Sequence, residues 1–222
     1  MSNDTATPGP ILVINPNSNE VVTEGMARAL DSYRMAGGPE IETMTLAEGP
    51  FGIESQVDSD SVILPLVRVV QSRLDASAFV IACYSDPGLD ACRSVSSAPV
   101  YGIQDSGILT AMAHGEQVGV IAISDVSIAR HMRTLRQMGV MDRITGERAL
   151  NMSVHETAVG TETFAALERT GRALMGDGAD VIVLGCAGMA THRAGLEEAL
   201  GIPVVDPTQA AVAMALGRVL LG

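Results

Sequence analysis

The chain has 222 residues, 47% of them hydrophobic, and a formal net charge of −12. That length suits one large domain or two small ones, and the acidity argues against nucleic acid or an anionic membrane surface as partner. All 14 basic residues are arginine. With no lysine there is no Schiff base to pyridoxal phosphate and no P-loop. Apolar runs fall short of the roughly 18 residues that span a bilayer. Met1–Pro10 is polar, without a basic segment leading into an apolar one, so the expected location is cytoplasmic. Three cysteines without CxxC spacing do not build a disulfide framework. Four scattered histidines (His114, His131, His155, His192) do not build a structural zinc site, and no metal is expected.

In chain order, Ile11-Leu12-Val13-Ile14 reads as a buried strand ended by Asn15-Pro16-Asn17-Ser18. Ser18 or Asn19 caps a helix running to about Met35, with Val22, Met26, Ala29, Leu30 and Tyr33 on one face. Glu40–Leu46 reads as a strand, and Glu48–Ser59 as a polar loop long enough to be functional. Val62, Leu66, Val70 and Leu74 recur every fourth residue as a second helix. Phe79-Val80-Ile81-Ala82 is a strand delivering Cys83, followed by a short helix from Pro87, a strand over Pro99–Ile103 and a helix over Ile108–His114.

The pattern then restarts. Val118–Ile123 is a strand ending at Ser124-Asp125, and Ile128–Met138 is a helix with three arginines on its polar side. Arg143–Thr145 is a short strand, Met152–Thr161 a loop, and Thr163–Met175 a helix. Val181-Ile182-Val183-Leu184-Gly185 leads to Cys186, then Met189–Leu200 is a helix and Ile202–Val205 a strand. Asp206-Pro207 starts the terminal helix. Alternating strands and helices predict an α/β fold with parallel sheets covered on both faces.

Ile11 and Val118 lie 107 residues apart, Pro99 and Pro203 104, and Cys83 and Cys186 103. Nearly constant offsets predict two pseudo-symmetric parallel-sheet α/β lobes with the active site in the cleft between them. Residues 1–104 and 207–222 would form the first lobe and 105–206 the second, the last helix packing back on the first half. Ligands bind at the carboxyl ends of strands in such folds, where Cys83, Cys186, Asn15 and Ser124 all sit.

A thiol on each side of a flat cleft can racemise a carbon acid. One thiolate removes a proton, and the other thiol returns one to the opposite face of the planar carbanion. A thiol titrates near 8.5, close enough to neutrality for general-base work. The helix start at Asp86-Pro87-Gly88 and the turn at Cys186-Ala187-Gly188 would favour thiolate and offer N–H groups to an enolate oxygen. Taken singly, the same residues have plainer readings. Cys92, which has no counterpart in the second half, reads as structural, Ser85 and Ser124 as turn or cap residues, and Asp86 as an N-cap. Glu54 reads as a solvated loop carboxylate, and His192 as facing solvent or a neighbour. A two-lobe small-molecule binding protein with cysteines used only for packing is the non-enzyme alternative; a disulfide across the cleft is a weaker one.

Asn15-Pro16-Asn17-Ser18, Gly49-Pro50-Phe51-Gly52-Ile53-Glu54, Ala82-Cys83-Tyr84-Ser85-Asp86-Pro87-Gly88-Leu89 and Gly185-Cys186-Ala187-Gly188-Met189 together resemble the Asp/Glu/hydantoin racemase superfamily, in its hydantoin racemase branch, which includes allantoin racemases. The resemblance implies a cofactor-independent racemase acting on a small molecule, with Cys83 and Cys186 as the acid/base pair. It places Asn15, Ile53, Ser85 and the backbone of Gly185, Ala187 and Gly188 around the substrate, with Tyr84 tuning the substrate side chain, and it implies a homo-oligomer; Ser124, at its strand end, is expected in the same cleft. Decarboxylases of the superfamily lack the first cysteine, which is present here. Amino-acid racemases carry Asn-Thr after the first cysteine and Thr-His after the second. Tyr84-Ser85 and Ala187-Gly188 depart from that and point to a 5-substituted hydantoin, with allantoin the main rival, ahead of an Asp/Glu racemase or a cis–trans isomerase.

Overall fold

A computed structural model describes residues 8–221; most of the polar Met1–Pro10 stretch, residues 1–7, lies outside them, as does Gly222. Two four-stranded sheets carry the chain, and every strand pairing is parallel. The first contains β1 (Ile11–Asn15), β2 (Ile41–Thr45), β3 (Ala78–Ile81) and β4 (Val100–Gly102), in the order β2-β1-β3-β4. The second contains β5 (Val118–Ala122), β6 (Ile144–Ala149), β7 (Val181–Gly185) and β8 (Val204–Val205), in the order β6-β5-β7-β8. The two orders are the same pattern written twice, as the offsets predict.

The apolar runs are continuous because both sheet faces are covered. On β1, Ile11 and Val13 enter one core while Leu12 and Ile14 enter another; on β3, Ala78 and Val80 separate likewise from Phe79 and Ile81. Among the described residues no helix is long and apolar enough to cross a membrane.

Several boundaries differ from those read in the sequence. The first helix, α1 (Glu20–Ala29), is capped by the Asn19 side chain and stops where Leu30 is buried; Asp31–Tyr33 forms a separate 3₁₀ turn. The loop over Glu48–Ser59 contains the start of α2 (Gln56–Ser61), and the loop over Met152–Thr161 holds α7 (Val154–Val159). Both are only six residues long, each fixed by a reciprocal cap: Ser55 with Asp58, and Ser153 with Glu156. Leu74 lies beyond α3 (Ile63–Ser72) and is 89% exposed, so the fourfold repeat overran that helix by one turn. The short helix after Pro87 is α4 (Leu89–Val95), and α5 (Ile103–His114) starts directly from β4. After α6 (Asp125–Met138), β6 is six residues long, twice the predicted strand. Beyond α8 (Thr163–Gly176), the predicted Met189–Leu200 helix is a 3₁₀ segment, Ala187–His192, followed by α9 (Arg193–Leu200). The last helix, α10 (Pro207–Leu221), packs on α5 and on β1 and β3, with its first turn tied by Asp206 accepting from the Gln209 amide at 2.7 Å.

Candidate active site

The topology brings the ends of β3 and β7 to one narrow cavity. From the first lobe Ile53, Cys83, Tyr84 and Ser85 line it; from the second, Gly185, Cys186, Ala187 and Gly188 do. Asn17, Val22, Ile123, Arg130, His131 and Val154 complete the wall. The free volume is about 30 Å³, when a single water needs roughly 10–15 Å³. The space between the two cysteines is therefore narrow, though Cys83 keeps some exposure. A roomier open groove of about 970 Å³, lined by Tyr33, Arg193 and Asp206 among others, contains no cysteine.

The lobes are clasped over the cavity by polar contacts. Glu54 is exposed but not merely solvated: its Oε1 accepts from the Val154 amide of the other lobe at 3.1 Å. Asn19 Nδ2 lies 3.3 Å from His155 Nδ1, the Phe51 and His155 rings are 5.5 Å apart, and Arg133 donates to Gln56.

Two residues predicted to meet substrate stand behind the wall instead. Asn15 is fully buried and spends its side chain on the chain itself. It donates to Asn17 Oδ1 (3.0 Å), the Asn19 carbonyl (3.2 Å) and Thr23 Oγ1 (3.0 Å), so it shapes the turn that presents Asn17. Ser124 is the residue before α6, and its buried hydroxyl has no partner among the described residues; its neighbour Ile123 faces the cavity.

Local chemistry fixes each cysteine. Gly185 precedes Cys186 because a Cβ there would sit 2.6 Å from the Ile121 carbonyl oxygen of the paired strand. Cys186 Sγ then receives the Gly188 N–H at 3.4 Å and lies 3.9 Å from Thr157 Oγ1. A Cβ on Gly188 would come within 2.9 Å of that threonine oxygen. The Gly188 N–H thus points at the Cys186 sulfur. On the first lobe, Asp86 does not cap the helix that follows it. Its backbone is left-handed (φ 44°), and its carboxylate reaches across to accept from the Gln104 and Asp105 amides at 2.9 and 3.0 Å, capping α5. The Cys83 turn is thereby pinned to the end of β4. Cys92 is fully buried in the outer core.

Burial, the leading cause, overrides the helix-terminus argument for thiolate. It pushes the Cys186 thiol up to about 12, with the Gly188 N–H opposing and neighbouring Cys83 adding. Cys83 keeps some exposure, yet its surroundings also raise it; the Ser85 amide and Arg130 pull it back, while Asp86 pushes further. Crowding by protein atoms removes the water that would solvate either sulfide.

Arg130, read as one of three arginines on a polar helix face, is only 7% exposed and donates through Nε to Ser85 Oγ at 2.7 Å. Its neighbour His131 is also buried, hydrogen-bonded through Nδ1 to Glu147 of β6 and set edge-on to Tyr84 with ring centroids 4.9 Å apart. The Tyr84 hydroxyl has no partner among the described residues. Helical periodicity assigns Arg130 to solvent because it counts charge as outward; only the turn after Cys83, folded against α6, turns that side chain in. His192 is half-buried beside Phe164, at 6.3 Å between ring centroids.

Two matched parallel sheets, each ending in a thiol at a shared narrow cavity, define a two-lobed α/β enzyme of the racemase type. The Asp/Glu/Hydantoin racemase family model matches residues 11–215. The chain is 34% identical over 220 residues to the hydantoin racemase of Paenarthrobacter aurescens, covering 96% of this chain and 92% of that one. Among solved structures it superposes on the allantoin racemase from Klebsiella pneumoniae with a TM-score of 0.90 at 30% identity, covering 96% of this chain and 89% of that chain. It superposes on allantoin racemase from Pseudomonas fluorescens with a TM-score of 0.88 at 29% identity, covering 96% and 92%. The chain belongs to the Asp/Glu/hydantoin racemase family, and it is an isomerase, a racemase.

Proposed function

We propose that this racemase inverts C5 of 5-substituted hydantoins by two-base proton transfer between Cys83 and Cys186. The observation that supports this most is the placement of one thiol from each lobe on the same narrow cavity, at corresponding strand ends. In one direction a thiolate takes the C5 proton, forming S–H as the C–H pair moves into the ring to give an enolate on the C4 oxygen. The enolate collapses as the opposite thiol delivers its proton to the other face of C5, leaving a thiolate there. For the other enantiomer the two sulfurs exchange roles. The reaction needs one thiolate and one thiol together. That is the state a crowded pair favours, since a second sulfide beside the first is repelled.

Allantoin is the second reading. It is favoured by the fit to two allantoin racemase structures and by Asn17, Arg130 and His131 on the wall, which suit a polar ureido substituent. The test is incubation of enantiopure 5-substituted hydantoins and of allantoin with the protein in D₂O. Loss of optical rotation with deuterium uptake at C5 is expected. Absence of both across the whole panel overturns the proposal.

A further inference from the structure

Arg130 is the odd charge in the chamber. It is 93% buried, judged from its 7% exposure, and among the described residues no carboxylate oxygen lies within ion-pair distance of it. A buried, unpaired guanidinium is costly unless something offsets it. Asp58 of α2 feels its charge, but that carboxylate is engaged by the Ser55 amide and hydroxyl at 2.8 Å each. The one side chain Arg130 grips is Ser85, whose oxygen accepts from Nε at 2.7 Å. With its oxygen so occupied, the Ser85 hydroxyl hydrogen is free to point at a neighbouring acceptor, and the adjacent group in the same turn is Cys83, which Arg130 also faces.

We propose that Arg130, acting through Ser85, is a positioning residue that makes Cys83 the thiol of the pair that loses its proton first. The inference rests on the two-thiol reading of the site. The contrast with Cys186 is geometric. Thr157 gives its hydroxyl hydrogen to the Val154 carbonyl at 2.7 Å, so toward Cys186 it presents a lone pair. A lone pair accepts S–H and favours the neutral thiol. The donor closest to Cys186 is the Gly188 N–H at 3.4 Å, Thr157 lies at 3.9 Å with its hydroxyl already engaged by Val154, and no cation acts on this thiol among the described residues. Cys83 has a guanidinium and a serine that can donate. The groups facing Cys83 are Arg130 and His131 from α6, Ser85 and Asp86 from its own turn, and Cys186 from the opposite lobe. Asp86 alone among them opposes ionisation by charge, and its carboxylate is turned toward the α5 amides. The asymmetry makes Cys83 the first of the pair to ionise as pH rises while Cys186 is still a thiol, so the singly ionised enzyme is ready for the enantiomer whose C5 proton faces the first lobe.

The test reads ionisation without substrate. The full-length protein is pulsed with iodoacetamide between pH 6 and 11, and alkylation of each cysteine is followed by peptide mass spectrometry. The inflection of each rate profile is compared, so that access to the chamber does not enter. Cys83 is expected to inflect at least one pH unit below Cys186. Arg130→Met is expected to raise the Cys83 inflection by about one unit, a loss of about tenfold in thiolate at a fixed lower pH, while Cys186 stays put. Arg130→Lys, which keeps the charge, should restore most of the shift, and Ser85→Ala should move Cys83 in the same direction as Arg130→Met. If Arg130→Met does not fold by circular dichroism, Ser85→Ala and Arg130→Lys decide alone. A Cys83 profile unmoved by these changes, both profiles moving together, or Cys186 inflecting first overturns the proposal. Failure to racemise any hydantoin would overturn the proposed function and leave these profiles standing as measured.

Discussion

Replacing Asp86 by asparagine tests how the Cys83 turn is held. In the native protein the carboxylate is buried against Gly102, where an added Cβ would sit 2.2 Å from Oδ2, and it accepts the Gln104 and Asp105 amides. Burial, the leading cause, and Asp105 raise its pKa to about 7, against the pull of the two amides and Arg93. The unfolded chain releases that proton near 3.9. Between the two values the unfolded state has lost a proton that the native state keeps, so the contribution of Asp86 to stability is fullest below about pH 4 and declines as pH rises through 7. From pH 5.5 to pH 8 the decline is about 2 kcal/mol, taking 1.36 kcal/mol per unit. Asparagine carries no proton to lose. It retains one acceptor, so one amide of α5 loses its partner, at a pH-independent cost of about 1–3 kcal/mol. Urea unfolding of both proteins at pH 5.5 and 8, the lower pH chosen to stay above the sequence pI of about 4.6, should show the variant gaining about 2 kcal/mol on the native protein at the higher pH. Asp206, also raised to about 7 by burial, titrates in both proteins and cancels. A stability difference that stays constant between the two pH values refutes the reasoning.

Cys83→Ser and Cys186→Ser should each lower racemisation by about 10²–10⁴-fold, followed by polarimetry; full activity in either single variant ends the two-base account. Both thiols are pushed upward by burial, Cys186 to about 12, so thiolate accumulates only as pH rises. We therefore expect kcat/KM to climb from pH 6 to pH 9 without an alkaline fall below pH 10, and a flat profile over that range would contradict it. Gly185→Ala drives a methyl group to 2.6 Å from the Ile121 carbonyl oxygen, where backbone cannot yield as a side chain would. A loss of about 1–3 kcal/mol is expected in urea unfolding, and an unchanged midpoint would show that β5 and β7 can part.

The duplicated sheets were legible because parallel strands buried on both faces must be apolar throughout, and runs such as Val181-Ile182-Val183-Leu184 have no competing reading. The position of the cavity followed from strand polarity and from the 103-residue spacing of the two cysteines. What periodicity missed had a local cause each time. The helices α2 and α7 are six residues each, too short to declare a period, although Ser55 with Asp58 and Ser153 with Glu156 three residues on is the signal that announces such starts. Arg130 and His131 were hidden because a helix facing an active-site chamber buries polar residues where a core helix would bury leucine. Asp86 was misassigned because its partners are 18 and 19 residues away in sequence, across a turn whose left-handed backbone no composition rule foretells for aspartate.

The terminal helix carries a consequence for how the molecule is made. Ala211, Val212 and Ala215 of α10 join Ile11, Val13, Ala78 and Val80 of the first sheet in a single core that also runs through β5 and β7. While residues 207–221 are still in the ribosome, the face of β1 and β3 that they cover stands open, however long the first half has been outside. The early strands must wait for the last helix, and neither half finishes its core alone. Native structure in both lobes should therefore wait for α10 and arrive in one step, and the unfolding of the two lobes should be seen as a single transition, not two.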